Sequence, residues 1–155
     1  MLKFWWIAIL IVILDQATKL AAVKLFANPI AMTPFFNLVL VFNSGAAFGF
    51  LDGASGWQNM LFVVIAIVVS LFIIGMAFRL GANEVQVRVA LMLILGGALG
   101  NLADRVRLGY VVDFLDLHYQ TWHWPSFNMA DTAISIGAVL LVLDAFGLGF
   151  PKRHN

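Results

Sequence analysis

Two aspartates carry most of the chemical promise of this chain. Asp113 stands in YVVDFLDLHY and Asp131 in PSFNMADTAISI, and neither has a basic residue within four positions, so no local salt bridge accounts for either. Alternation along the first segment puts Asp113 on one face with Val111 and Leu115, opposite Val112, Phe114 and Asp116. The expectation is that Asp113 points inward and Asp116 toward water. Asp131 opens the last apolar run, where a helix dipole favours a carboxylate. An N-cap role would also explain it, although Ser126 or Asn128 could cap equally well. Two carboxylates arriving from either side of a hairpin suggest a pair that shares one proton. Held close together they cannot both ionise, so one is an acid while the other is a base. Such a pair can activate a water against an amide carbonyl and then protonate the leaving amine.

The remaining polar groups form smaller constellations. Asp15 and Lys19, in DQATK, are one helical turn apart and can pair. Gly97, Asn101 and Asp104, in GGALGNLADR, fall on a single helical stripe with Gly96 and Gly100 beside it. The small residues let another helix come close, and the polar ones face that neighbour. Arg105 adjoins Asp104 and reads as its partner in a polar lock between helices. Ser44 with Lys19 or Lys24 imitates a serine–lysine hydrolase but lacks a nucleophile-elbow context. His118 and His123, with Asp116, imitate a metal site, yet their spacing in a Trp-rich loop suits interfacial polar residues better. Asp144 is left without a role.

The elements that must position these groups follow from composition. Of 155 residues 63% are hydrophobic and only 11% charged, with a mean hydropathy of +0.97, whereas a soluble domain keeps about a quarter of its residues charged. This is the composition of a membrane protein, and each intramembrane charge becomes a functional candidate. The formal net charge of +1 gives no ground for a nucleic-acid partner, and the lack of cysteine removes disulfides, thiolate metal sites and a cysteine nucleophile. Four segments suit a bilayer about 30 Å thick, over residues 4–25, 60–78, 87–103 and 130–150. The first spans only if it continues through Asp15 and Lys19, and those same charges, standing where a cleavage site would be, argue against a cleavable signal. Residues 31–58 and 106–128 read as extended structure turning at glycines, with Trp122 and Trp124 suited to a membrane–water interface. Both stretches fall on one side, and the termini share the other with RLGANEVQVR. Bases near the spans, Lys3, Arg79, Arg88, Lys152 and Arg153 against Lys19, Lys24, Arg105 and Arg107, lean slightly toward cytoplasmic termini. The whole chain reads as one integral membrane domain, mainly α: a four-transmembrane-helix bundle with a small extracytoplasmic β-sheet cradle.

Five stretches together point to a family. DQATK at 15–19, FNSGAAFG at 42–49, GGALGNLADR at 96–105, VVDFLD at 111–116 and FNMAD at 127–131 occur in the order and on the four-helix plan of lipoprotein signal peptidase, or signal peptidase II, which the chain resembles nearly end to end. The resemblance implies a bacterial inner-membrane aspartic endopeptidase that removes signal peptides from prolipoproteins, cutting before a cysteine that carries diacylglycerol. It implies Asp113 and Asp131 as the catalytic dyad, and Asp15, Lys19, Asn43, Gly45, Asn101, Asp104, Arg105 and Asn128 as groups supporting the site and the substrate. It also implies no metal or organic cofactor, sensitivity to the cyclic peptide globomycin, contact with membrane lipid, and a monomer with its active site near the outer leaflet. Two rivals rest on the residues alone. A proton-coupled transporter would spread its acids through the membrane thickness, and a scaffold would use its polar groups only to lock helices.

Overall fold

The computed structural model describes residues 4–45, 57–81 and 83–149. The chain opens with helix α1 (Trp5–Leu25) and a hairpin of strands β1 (Ile30–Thr33) and β2 (Phe36–Asn43). Two further helices follow, α2 (Trp57–Arg79) and α3 (Val85–Leu108). Strands β3 (Val111–Tyr119) and β4 (Trp122–His123) then lead into α4 (Met129–Ala145). The strands form one antiparallel sheet in the order β1-β2-β3-β4. The molecule is thus mainly helical with a small sheet. Three of its helices, α1, α2 and α3, are long and apolar enough to cross a membrane, while α4 has 17 residues.

The helices turn large apolar side chains outward. Phe72 is 66% exposed and Leu71 64%, on a helix that buries little besides Gln58, Ser70, Ile73 and Ala77. Continuous apolar surface of this extent is untenable in water but is ordinary contact with lipid tails. The protein core is correspondingly narrow, with Ala8, Ile73, Ala77, Leu91, Met92 and Leu95 where α1 and α2 pack on α3. Glycine sets how closely α3 is approached. A Cβ at Gly97 would strike the carbonyl of Ala130 on α4, and one at Gly100 would lie 2.6 Å from the Asp15 carboxylate on α1. The small-residue stripe expected at 96–100 therefore does bring two neighbouring helices in.

Several boundaries differ from expectation for local reasons. Helix α3 continues past residue 103 to Leu108, because Asp104 turns inward toward α1 and Arg107 reaches Gln16. It stops at Gly109, whose φ of +84 is a left-handed C-cap, and Gly109 N–H donates to the Arg105 carbonyl. Helix α4 ends at Ala145 and not near 150, two residues before Gly147 at φ +72. The glycine-rich turn expected over SGAAFGFLDGASG falls mostly on residues 46–56, outside the described residues, as do Lys3, Lys152 and Arg153 of the orientation count.

Candidate active site

Asp113 is almost wholly buried in the middle of the sheet. It sits opposite Val41 on β2, two residues from Asn43, whose amide reaches diagonally to donate to Asp113 Oδ2 at 2.9 Å. Its other oxygen accepts from Asn128 Nδ2 at 2.7 Å. Burial pushes the Asp113 carboxyl up to about 6; the Asn43 hydrogen bond opposes this, and the nearby charge of Asp131 adds to it.

The capping question at α4 resolves in favour of Asn128, with Asp131 as its reciprocal partner. Asn128 has extended φ and ψ, its Oδ1 accepts from Asp131 N–H at 2.9 Å, and its own N–H donates to Asp131 Oδ2 at 3.2 Å, a capping box. Asp131 Oδ1 accepts from Asn101 Nδ2 at 2.8 Å. Asn128 therefore touches both aspartates, one with its side-chain amide and the other with its backbone. The carboxylates are brought to one place by a single buried residue, 0% exposed, that starts the last helix.

Behind this lies a buried ionic lattice. Lys19 Nζ donates to Asp15 Oδ2 at 2.8 Å, to Asp104 Oδ2 at 2.9 Å and to Asn101 Oδ1 at 2.8 Å, so each of its three protons has an acceptor. Asp15 Oδ1 also accepts the N–H of Ala130, one of the free donors in the first turn of α4. Asp104 accepts the Val112 N–H and the Gln16 amide. Each group fixes a different element: Asp15 the start of α4, Asp104 the start of β3, and Asn101 the Asp131 carboxylate. The i, i+4 pairing of Asp15 and Lys19 is present as expected. The expected partner of Asp104 is not: its cation is Lys19, while the Arg105 guanidinium lies over the Phe62 ring of α2, 5.0 Å from the centroid. One residue along a helix is a rotation of about 100°, so Asp104 and Arg105 cannot both face α1. Arg105 has no carboxylate within ion-pair distance among the described residues.

Gly45 belongs to the rim. Its φ of +103 suits only glycine, and a Cβ there would stand 2.7 Å from the Phe62 ring, while its N–H donates to Asn43 Oδ1 at 2.9 Å and so orients the amide that holds Asp113. The strand alternation places Asp116 opposite Asp113, but Asp116 itself is not turned to water. Asp116 is buried, with Asn37 Nδ2 on Oδ2 at 2.9 Å and His123 Nδ1 on Oδ1 at 2.8 Å. Burial alone would raise its carboxyl, and these hydrogen bonds outweigh it and hold the group below the usual value. His118 stacks on the His123 ring, and no group of three or more metal-ligating side chains occurs among the described residues. Ser44 has lost its possible base in Lys19, which is fully engaged, and Lys24 is exposed at the end of α1. Asp144 lies in the last turn of α4, and Lys152, its possible partner, is outside the described residues.

Three contributors escaped sequence reasoning. Gln16 bridges Asp15, Asp104 and Arg107, Asn37 holds Asp116, and Phe62 supports both Arg105 and Gly45. Gln16 and Asn37 each carried a signal, being amides beside long apolar runs, whereas Phe62 did not.

Residues 7–147 match the family model described as signal peptidase (SPase) II. A lipoprotein signal peptidase of Paraburkholderia phytofirmans is 52% identical over 140 residues, covering 89% of this chain and 81% of that one. One from Pseudomonas putida is 47% identical over 149 residues, covering 94% and 87%. Among solved structures, a bacterial membrane enzyme determined in meso at 2.3 Å superposes with a TM-score of 0.77 at 31% identity, over 97% of this chain and 91% of that one. A second, at 1.9 Å, gives 0.76 and 32% identity over 90% of each chain.

Proposed function

This chain belongs to the signal peptidase (SPase) II family, and from that premise we propose that it is a membrane aspartic endopeptidase that removes signal peptides from diacylglyceryl-modified prolipoproteins. The cut falls immediately before the lipidated cysteine. The observation that carries the mechanism is the double attachment of Asn128, 2.7 Å from Asp113 and 3.2 Å from Asp131.

The chemistry runs on a water held between the two carboxyls. The ionised member removes a proton from the water as its oxygen attacks the scissile carbonyl carbon, and the protonated member donates toward the carbonyl oxygen. In collapse of the tetrahedral intermediate the C–N bond breaks and a carboxyl returns a proton to the leaving amine, the amino group of the lipidated cysteine. No cofactor takes part. Asn43 and Asn128 hold Asp113, and Asn101 and the Asn128 backbone hold Asp131, so neither carboxyl has to be reoriented during the reaction. To Arg105, which follows Asp104 on α3, we assign the role of offsetting the negative charge that develops on the intermediate.

The location suits the substrate. Each buried CH₂ is worth about 0.8 kcal/mol, so a diacylated peptide leaves the bilayer only at great cost, and the site must meet it at the membrane surface. Asp15, Asp104, Asp113 and Asp131 gather at one end of the bundle, which is where a transporter relay would not confine its acids. We take α4 as the fourth span: its 17 residues rise roughly 25 Å, the short end of the spanning range. The chain then forms a single multi-pass domain of the bacterial inner membrane, with both termini cytoplasmic, the sheet as an extracytoplasmic cradle at the outer leaflet, and a monomer as the working unit.

Purified protein in lipid nanodiscs, given a diacylglyceryl-modified precursor, should release a product that begins at the lipidated cysteine by mass spectrometry, and globomycin should block it. A product beginning elsewhere, or no product, would count against the assignment.

A pH profile tests the shared proton. The pair needs one proton, and burial pushes the Asp113 carboxyl up to about 6, so kcat/KM should fall as pH rises through an apparent pKa near that value, belonging to the pair. Asn43 donates to the charged carboxylate and so favours ionisation. Asn43→Ala should move the descending limb to higher pH, and a limb that stays in place or moves down would contradict the role given to Asn43.

A further inference from the structure

A groove of about 170 Å³ lies on the side of the sheet away from Asp113, between α1 and the last turn of α3. Its placement follows from the strand register. Phe42 pairs with Val112 and both line the groove, whereas their chain neighbours Val41 and Asp113 pair on the other face. Leu20, Val23 and Leu108 supply further apolar wall, all of them exposed. Ile13 and Ile9, 58% and 61% exposed, continue the α1 side of this wall toward the middle of the bundle, at helical spacing from Leu20.

The polar end of the groove is Arg107. It is exposed, donates to Gln16 Oε1 at 3.1 Å, and has no carboxylate within ion-pair distance among the described residues. It lies one residue before the end of α3, where the helix passes into the sheet. Among the described residues the other cation lining the groove is Lys19, which is neutralised by Asp15 and Asp104. One unpaired guanidinium at the end of a spanning helix, above an apolar channel that runs along lipid-facing side chains, has the charge layout of an amphiphile site.

We propose that this groove binds an anionic phospholipid of the surrounding bilayer, its phosphate on Arg107 and one acyl chain along Phe42, Leu20 and Ile13. A guanidinium matches a phosphate bidentately. The occupant is a bilayer lipid and not the diacylglyceryl of the substrate. That group is neutral, so Arg107 gains nothing from it, and it is tied next to a scissile bond that lies at Asp113 on the opposite face. The inference rests on the membrane-spanning reading but not on the catalytic one.

The test uses Asp113→Asn protein, which removes turnover, in nanodiscs containing photoactivatable phosphatidylglycerol or phosphatidylcholine, with crosslinks mapped by mass spectrometry. Phosphatidylglycerol should label the groove more strongly by about fivefold, the equivalent of about 1 kcal/mol for one basic residue at an anionic surface. Arg107→Gln should bring the two lipids level, Leu20→Trp should reduce both by filling the channel, and Arg79→Gln, at the far end of α2, should change neither. Equal labelling by the two lipids in the parent protein, or a preference that survives Arg107→Gln, would overturn the proposal. Displacement of the label by a lipidated precursor would do so as well, since the groove would then belong to the substrate. None of these readouts depends on cleavage, so a failure here is separable from a failure of the peptidase assignment.

Discussion

Asp113→Asn and Asp131→Asn each leave a folded, membrane-inserted protein whose cleavage of a lipidated precursor falls by at least about 10²–10⁴-fold, the range supplied by a positioned acid or base. The prediction is sharper than a generic loss because each substitution keeps the shape of a neutral carboxyl and removes only the ability to give or take a proton. Structural cost is limited by what surrounds each group. Asp113 accepts two amide donors, from Asn43 and Asn128, and Asp131 accepts one from Asn101 and one from the Asn128 backbone. An introduced NH₂ would face one of these donors, at a cost of about 1–3 kcal/mol. The Lys19 lattice is untouched in both variants, since neither aspartate contacts Lys19 directly. Thermal unfolding in detergent should therefore shift modestly while turnover disappears. Retained turnover in either variant would remove that residue from the mechanism, and equal collapse of folding in both would favour a scaffold role for the acids.

The site was legible where polar groups stood against an apolar background. Asp15 with Lys19, the stripe Gly97–Asn101–Asp104, and Asn128 with Asp131 each broke a hydrophobic run at helical spacing, and each contributes to the observed network. The four long helices were legible from their apolar runs, although α1 continues through Asp15 and Lys19 and the ends of α3 and α4 lay elsewhere. Partner choice was not legible. Asp104 adjoins Arg105 in sequence, yet its cation comes from α1, because which side chain meets which depends on the rotation of two packed helices. Nor did alternation reveal the environment of Asp116. It gave the correct face, but burial there depends on Asn37 from β2 and on His123 from β4. Phe62 gave no signal at all, being one apolar residue in a run of apolar residues from Met60 to Val69.

Lys19→Met tests whether the buried lattice holds the active end of the bundle together. Lys19 is 3% exposed, and its ammonium lies between Asp15, 0% exposed, and Asp104, 2% exposed. Methionine fills similar volume but leaves two almost fully buried carboxylates without their cation. Removing one partner of a buried ion pair costs about 3–5 kcal/mol, because the remaining charge is uncompensated. Here the loss extends to function. Asn101 gives up its Lys19 donor and is the residue that holds Asp131, so the Asp131 carboxyl loses part of its support even if the fold survives. The expected result is a markedly lower melting temperature in detergent together with reduced turnover. Lys19→Met combined with Asp104→Asn separates the two effects. Neutralising one of the stranded carboxylates should recover part of the stability, since the sites are in contact and their effects are coupled, whereas turnover should stay low because Asn101 still lacks its cation. A Lys19→Met protein as stable and active as the parent would mean that the 2.8 Å contacts to Asp15 and Asn101 contribute little. A double variant that recovered stability and turnover together would mean that Lys19 acts only by offsetting charge and does not position Asp131 through Asn101.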